Sequence, residues 1–218
     1  MADLKVCIPV YDQVNLLDVA GAMEMFSWAR IETVLVAQKP GRLRFTAGLE
    51  FLVDRDFDQA DACDAIWVPG GDPSALKAII EDPSETYLNF LRTMQKKVRI
   101  TASVCDGALL LAAAGLLDGY EATTHWQFIP CFAQHFPKVK IVPGHPRFHL
   151  DRDRLTGAGM SSGLDEALKL IELLTGDKSV ADNVRLTTQY FPEAVPTQIP
   201  AAVDCPVALS TRRRSTSV

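Results

Sequence analysis

No stretch of this sequence is apolar for long enough to cross a bilayer. The longest, Ala108 to Leu117, is ten residues and stops at Asp118, about half of what a spanning helix needs; it reads as a buried helix, and no membrane partner is expected. Met1-Ala2-Asp3-Leu4-Lys5 lacks a basic region leading into an apolar one, which gives the expectation of a cytoplasmic protein. There is no basic excess: 22 Lys and Arg against 27 Asp and Glu leave a formal charge of −5. A surface that coats nucleic acid is therefore not expected.

Cysteine is sparse and scattered. Cys7, Cys63, Cys105, Cys131 and Cys205 are odd in number and form no C-x-x-C, so the expectation is five free thiols and neither a disulfide framework nor a structural zinc site. His145 and His149 are four apart but separated by Pro146, which argues against a helical metal pair, and no metal is expected. P-loop and metalloprotease motifs are absent. Gly157-Ala158-Gly159-Met160-Ser161-Ser162-Gly163 misses the dinucleotide fingerprint by one residue and comes late in the chain; it reads as a turn into a helix. No repeat period is visible.

The 218 residues, 48% hydrophobic and 22% charged, have the composition of a folded globular chain with room for one elaborated domain. Strand-like runs alternate with helical spacing: Val6 to Val10, then Val19, Ala22, Met23 and Phe26, then Val34 to Ala37. That alternation predicts an α/β fold. Leu43 to Thr46 and Leu49 to Val53, around Ala47-Gly48, predict a hairpin or edge pair. Ala65 to Val68 leads into Pro69-Gly70-Gly71-Asp72-Pro73, where Asp72 can cap a helix that starts at Pro73. Ser84 to Lys97 predicts a helix and Val98 to Val104 a strand. Ser162-Gly163-Leu164-Asp165 has the form of a capping box, with Gly176 ending its helix, and Asp177 can cap a last helix to about Tyr190. The domain is expected over residues 1–190. A tail with prolines at 192, 196, 200 and 206 and Arg212-Arg213-Arg214 is expected over 191–218, either as an extended, partly disordered segment able to pack on a partner subunit or as a short basic interaction tag.

The segment richest in chemistry is Ile100 to Leu110, where a strand becomes a helix within two residues and Cys105 sits on the corner. This has the form of a nucleophile elbow, and a following helix N-terminus should make the thiol more acidic. A small buried core cysteine is the alternative. Asp18, after the first strand, is either a plain helix cap or an acid facing Cys105. In a parallel sheet the loops after the first strand, at Gly70-Gly71 and at Cys105 leave the same edge, where ligands bind. If Asp18 approaches Cys105, the two should share a proton over part of the pH range. The N–H groups of Gly71 and Asp106 are candidate donors to substrate charge, unless the glycines only make a turn. His125 is a candidate base or a packed structural histidine.

Pro69-Gly70-Gly71, Ser103 to Gly107, Ala122 to Trp126 and Leu155 to Asp165 together resemble the DJ-1/PfpI superfamily over residues 4 to 190, and within it most resemble the isonitrile (isocyanide) hydratases. The resemblance implies a flavodoxin-like three-layer sandwich with a mainly parallel sheet, usually homodimeric. It implies a reactive Cys105, Asp18 as its acid, and substrate or oxyanion binding at Gly70, Gly71 and Asp106. The reaction implied is addition of water to an isocyanide to give an N-substituted formamide without metal or organic cofactor. The other readings are an enzyme acting on reactive carbonyls and a ligand or redox sensor. One departure stands out: those hydratases carry threonine after the cysteine and PfpI-type proteases histidine, whereas this chain has Asp106, which would oppose a thiolate unless it turned toward the helix amides.

Overall fold

The computed structural model describes residues 4–60, 62–192 and 199–210. Chain order is β1 (Lys5–Val10), α1 (Leu16–Trp28), β2 (Glu32–Ala37), β3 (Gly41–Arg44), β4 (Glu50–Val53), β5 (Ala65–Val68), α2 (Pro73–Ile80), α3 (Thr86–Gln95), β6 (Ile100–Ser103), α4 (Gly107–Ala113), β7 (Glu121–Ala122), α5 (Ile129–His135), β8 (Lys140–Ile141), β9 (Phe148–Asp151), β10 (Arg154–Gly157), α6 (Ser162–Thr175) and α7 (Lys178–Thr187).

The central sheet has six strands in the order β2-β1-β5-β6-β10-β9, parallel except for the edge strand β9. Strands β5 and β10 are buried at every residue and β1 at all but its first, as parallel strands covered on both faces must be. Helices α1, α6 and α7 pack together, and so do α2, α3 and α4, giving the three-layer flavodoxin-like sandwich expected. Sheet order reverses between β1 and β5, so the loops leaving β1, β5 and β6 meet at one carboxyl edge. An α/β sheet opens its crevice at such a switch point.

Local signals mostly act where the sequence puts them. Asp72 caps α2, accepting from Ser74 N–H at 2.8 Å with Pro73 in the first turn, and Asp177 caps α7 in the same way. Gly176 ends α6 at φ 70°, a left-handed position that glycine fills without a Cβ clash. β3 and β4 form the antiparallel pair foreseen, with Phe45 stacked on Phe51 at 4.1 Å.

Two expectations need correction. The Ser162 to Asp165 capping box does not form: α6 is preceded by Ser161 with no side-chain cap. Ser162 Oγ instead donates to the Gly159 carbonyl, and Asp165 is drawn to Arg147 at 2.6 Å, a stronger partner than an amide. Not all five thiols are free either, because Cys131 and Cys205 form a disulfide across 74 residues of sequence. No spacing rule detects a pair made only when a tail folds back. The tail lies partly on its own chain: Val207 is buried and Ser210 binds Glu81. Arg212-Arg213-Arg214 lies outside the described residues.

Candidate active site

The turn from β6 to α4 is an elbow in its backbone as well as its sequence. Cys105 has φ 58°, a left-handed conformation that a side chain other than glycine adopts at a cost of about 1–3 kcal/mol. Three contacts hold it there. Val104 N–H donates to the Val68 carbonyl and Cys105 N–H to the Ala158 carbonyl at 2.8 Å, while Thr124 Oγ donates to the Cys105 carbonyl at 2.8 Å. Gly107 lets the helix start against β5, since a Cβ there would stand 2.3 Å from the Val68 oxygen.

Asp18 is not a helix cap. Asn15 occupies that position and Asp18 lies within the first turn of α1, free to turn inward. Its Oδ2 accepts from Gly70 N–H at 2.9 Å, and its carbonyl accepts from the fully buried Trp67 indole N–H at 2.9 Å. Asp106 turns toward β5 and not toward the helix amides, with Oδ1 accepting from Gly71 N–H at 2.9 Å. The Gly71 amide, foreseen with that of Asp106 as a donor to substrate, is thus occupied by a carboxyl in the resting site, as is the Gly70 amide beside it. Glycine is required at 70 because a Cβ would sit 1.8 Å from Asp106 Oδ1.

Donor atoms of Asp18, Cys105 and Asp106 all lie within 4.8 Å of one another, and the three side chains are 1%, 3% and 1% exposed. Beside Cys105, the Asp106 carboxyl raises the thiol while the Asp106 N–H lowers it. Burial first, then the charges of Asp18 and Asp106, push the thiol well above its ordinary value. That reverses the acidic thiol expected from the elbow, because desolvation and two acids outweigh one amide. Both carboxyls rise to about 7, Asp18 through burial and Asp106 through burial and the charge of Asp18. The resting cluster therefore retains protons at neutrality.

Sequence reasoning missed Asn15, whose Nδ2 lies 3.4 Å from Asp18 Oδ2 and 3.9 Å from Cys105 Sγ, and whose Oδ1 accepts from Thr46 in the loop between β3 and β4. It also missed Glu166, fully buried with neither Oε hydrogen-bonded, close enough to Asp18 to feel its charge and pushed up chiefly by burial. His125 caps a short turn, accepting from Gln127 N–H at 3.4 Å. Its ring rests near Phe128 and Gly159, a packed position. His149 pairs with Glu121 at 3.3 Å and not with His145.

A left-handed cysteine corner at the switch point of a parallel sheet, facing an acid on the first helix, defines a class of α/β proteins built around a nucleophile elbow. The DJ-1/PfpI family profile matches residues 4–173, and this chain belongs to that family. It is 32% identical to isonitrile hydratase of Pseudomonas putida over 190 residues, 87% of this chain and 79% of that protein. It is also 33% identical over 57% of its length to the HTH-type transcriptional regulator GbdR of Pseudomonas aeruginosa, of which it spans 32%. Among solved structures, a ThiJ/PfpI family protein from Pseudomonas syringae is 30% identical with a TM-score of 0.77, covering 90% of this chain and 78% of that one. Drosophila melanogaster DJ-1beta shares the fold at 18% identity, with a TM-score of 0.76 over 86% of this chain and 98% of that one. No helix among the described residues is long and apolar enough to cross a membrane.

Proposed function

We propose that this protein adds water to isocyanides, giving N-substituted formamides, with Cys105 as nucleophile and Asp18 as proton donor. The observation that carries this reading is the buried pairing of Cys105 with Asp18, whose carboxyl titrates at about 7 and so is available as an acid near neutrality. Cys105 attacks the terminal carbon of the isocyanide, its S–H proton passing to a carboxylate of the buried cluster, while the Asp18 carboxyl protonates that carbon, giving a thioimidate, S–CH=N–R. The Asp18 carboxylate then takes a proton from water as the oxygen adds to carbon and returns it to nitrogen. Collapse of the adduct breaks the C–S bond and releases O=CH–NH–R, the hydroxyl proton passing to Asp18 and the sulfur recovering its own proton from the cluster.

The near-complete burial of the sulfur supports a slender substrate. A thiol that is 3% exposed, with Asn15 beside it, is reached more easily by a linear –N≡C group than by a branched carbonyl compound. Resemblance to isonitrile hydratase over most of the chain favours the same chemistry. In this reading Gly70, Gly71 and Asp106 bind the substrate beside Cys105. Reaction without metal or organic cofactor, a homodimer and a cytoplasmic setting belong to the same proposal. The Cys131–Cys205 disulfide bears on the last, since a reducing cytoplasm keeps such pairs as thiols; thiol counting under native extraction checks it.

The test is formamide formation from a simple aryl isocyanide by wild type and Cys105→Ala. Product from wild type but not from the variant is expected; equal rates would refute the reading. Lactate formed from methylglyoxal, with no formamide from the isocyanide, would favour the carbonyl-directed alternative. Similarity to part of a transcriptional regulator supports a ligand-sensing role, for which binding without turnover is the signature.

A further inference from the structure

The elbow holds two acids, Asp18 and Asp106, and each brings a carboxylate oxygen within 4.8 Å of the Cys105 sulfur, although the family resemblance designates only Asp18 as the acid. Asp106 follows Cys105 directly in the chain, with a carboxylate oxygen within 4.8 Å of the sulfur. Oδ1 of the Asp106 carboxyl is fixed by Gly71 N–H at 2.9 Å, and the space it fills exists only because residue 70 has no Cβ. Asp18 is fixed differently: Oδ2 is held by Gly70 N–H while the buried Oδ1 has no partner, as suits an oxygen that presents its proton to an incoming carbon.

We propose that Asp106 is the base that takes the Cys105 proton, so that the two proton transfers of the first step are divided between two carboxyls. The assignment rests on the hydratase reading. The Cys105 S–H bond breaks and its proton passes to the Asp106 carboxylate. The sulfur electron pair forms the bond to the isocyanide carbon, and the carbon lone pair takes the proton of Asp18. After water has added, the C–S bond breaks and the departing sulfur recovers its proton from Asp106, as Asp18 recovers its own from the adduct hydroxyl. The cycle returns a thiol, one carboxylate and one carboxylic acid, with the atoms of RNC and water in the formamide. No basic side chain has to approach the sulfur, and the net charge of the buried cluster stays constant through the first step.

Besides Cys105, the titratable groups acting on Asp106 are Asp18 from α1 and Tyr11 from the loop after β1, and Glu166 from α6 acts in turn on Asp18. All are acids, so the division is read as the loss of one limb in a pH profile. Asp106→Asn keeps an acceptor for Gly71 N–H and removes the base. The expected result is a kcat/KM lower by about 10^2-fold or more, loss of the acidic limb, and slower alkylation of Cys105 by iodoacetamide at pH 7. Asp106→Ser supplies the same comparison if the asparagine variant does not fold. A variant with the wild-type rate, pH profile and alkylation rate would overturn the assignment. Cys105→Ala, measured alongside, separates the two claims. An inactive Cys105→Ala with an unaltered Asp106→Asn removes only the role of Asp106, whereas an active Cys105→Ala removes the hydratase reading itself.

Discussion

Cys7 and Cys105 are both buried thiols pushed far up by their surroundings, yet only one is placed to react. Cys7 lies in the middle of β1, and its neighbour is a second thiol, Cys63, so neither can relieve the other of a proton near neutrality. Cys105 stands on a left-handed corner with two carboxyls that titrate at about 7. A buried thiol is therefore not disqualified as a nucleophile by its own reluctance to ionise. What matters is whether the proton has somewhere close to go while the bond to carbon forms.

The largest effect expected from this contrast is on turnover. Cys105→Ser should lower formamide production by roughly 10^3-fold or more, whereas Cys7→Ala should leave the rate within about twofold and cost only about 1 kcal/mol of stability, measured by urea unfolding. Comparable rate losses from both would erase the distinction. Next comes Asp18→Asn, for which a rate loss of about 10^2-fold or more is expected. In the wild type, activity should fall on the alkaline side of about pH 7 as Asp18 loses its proton; an alkaline limb that persisted unchanged in the variant would assign it elsewhere.

Stability supplies a smaller test with a definite sign. The Asp18 carboxyl rises from 3.8 to about 7 on folding, so the folded state binds more protons than the unfolded state between those values. Its contribution is fully present below about pH 3.8 and is lost as pH rises through about 7. Asp18→Asn should accordingly raise the melting temperature at pH 8, by several degrees on the order of a 1–2 kcal/mol gain, and raise it less at pH 5. An equal gain at both would mean that ionisation is not the cause. Gly70→Ala should show the smallest but most local change, destabilising by about 1–3 kcal/mol, because its Cβ would meet Asp106 Oδ1 at 1.8 Å. Thermal melts of the single variant and of Gly70→Ala with Asp106→Ser test this, since the second substitution should remove most of the penalty.

Much of the frame was legible before any coordinates. Alternating apolar runs define the layers, Asp72-Pro73 and Gly176-Asp177 mark helix ends, and the loops after β1, β5 and β6 converge as parallel connectivity requires. What escaped depends on distances that no local pattern carries. Asp18 could not be told from a cap, because the cap position falls to Asn15 three residues earlier. The direction of Asp106 is decided by an amide 35 residues away. The acidity of the thiol was misjudged because an elbow reveals the amide that favours a thiolate and conceals the burial that opposes it. Glu166, on the apolar face of an amphipathic helix, breaks the pattern there; that break was the available signal for a buried acid near Asp18.

The claim at the centre is that the Cys105 sulfur, for all its burial, bonds to the substrate carbon. Mixing the protein briefly with an aryl isocyanide, quenching, and mapping the added mass by peptide mass spectrometry tests this directly. The account predicts one equivalent of isocyanide on the peptide containing Cys105 and none on Cys7 or Cys63. Formamide released steadily with no adduct on Cys105 at any quench time, or an adduct on another cysteine, would contradict it.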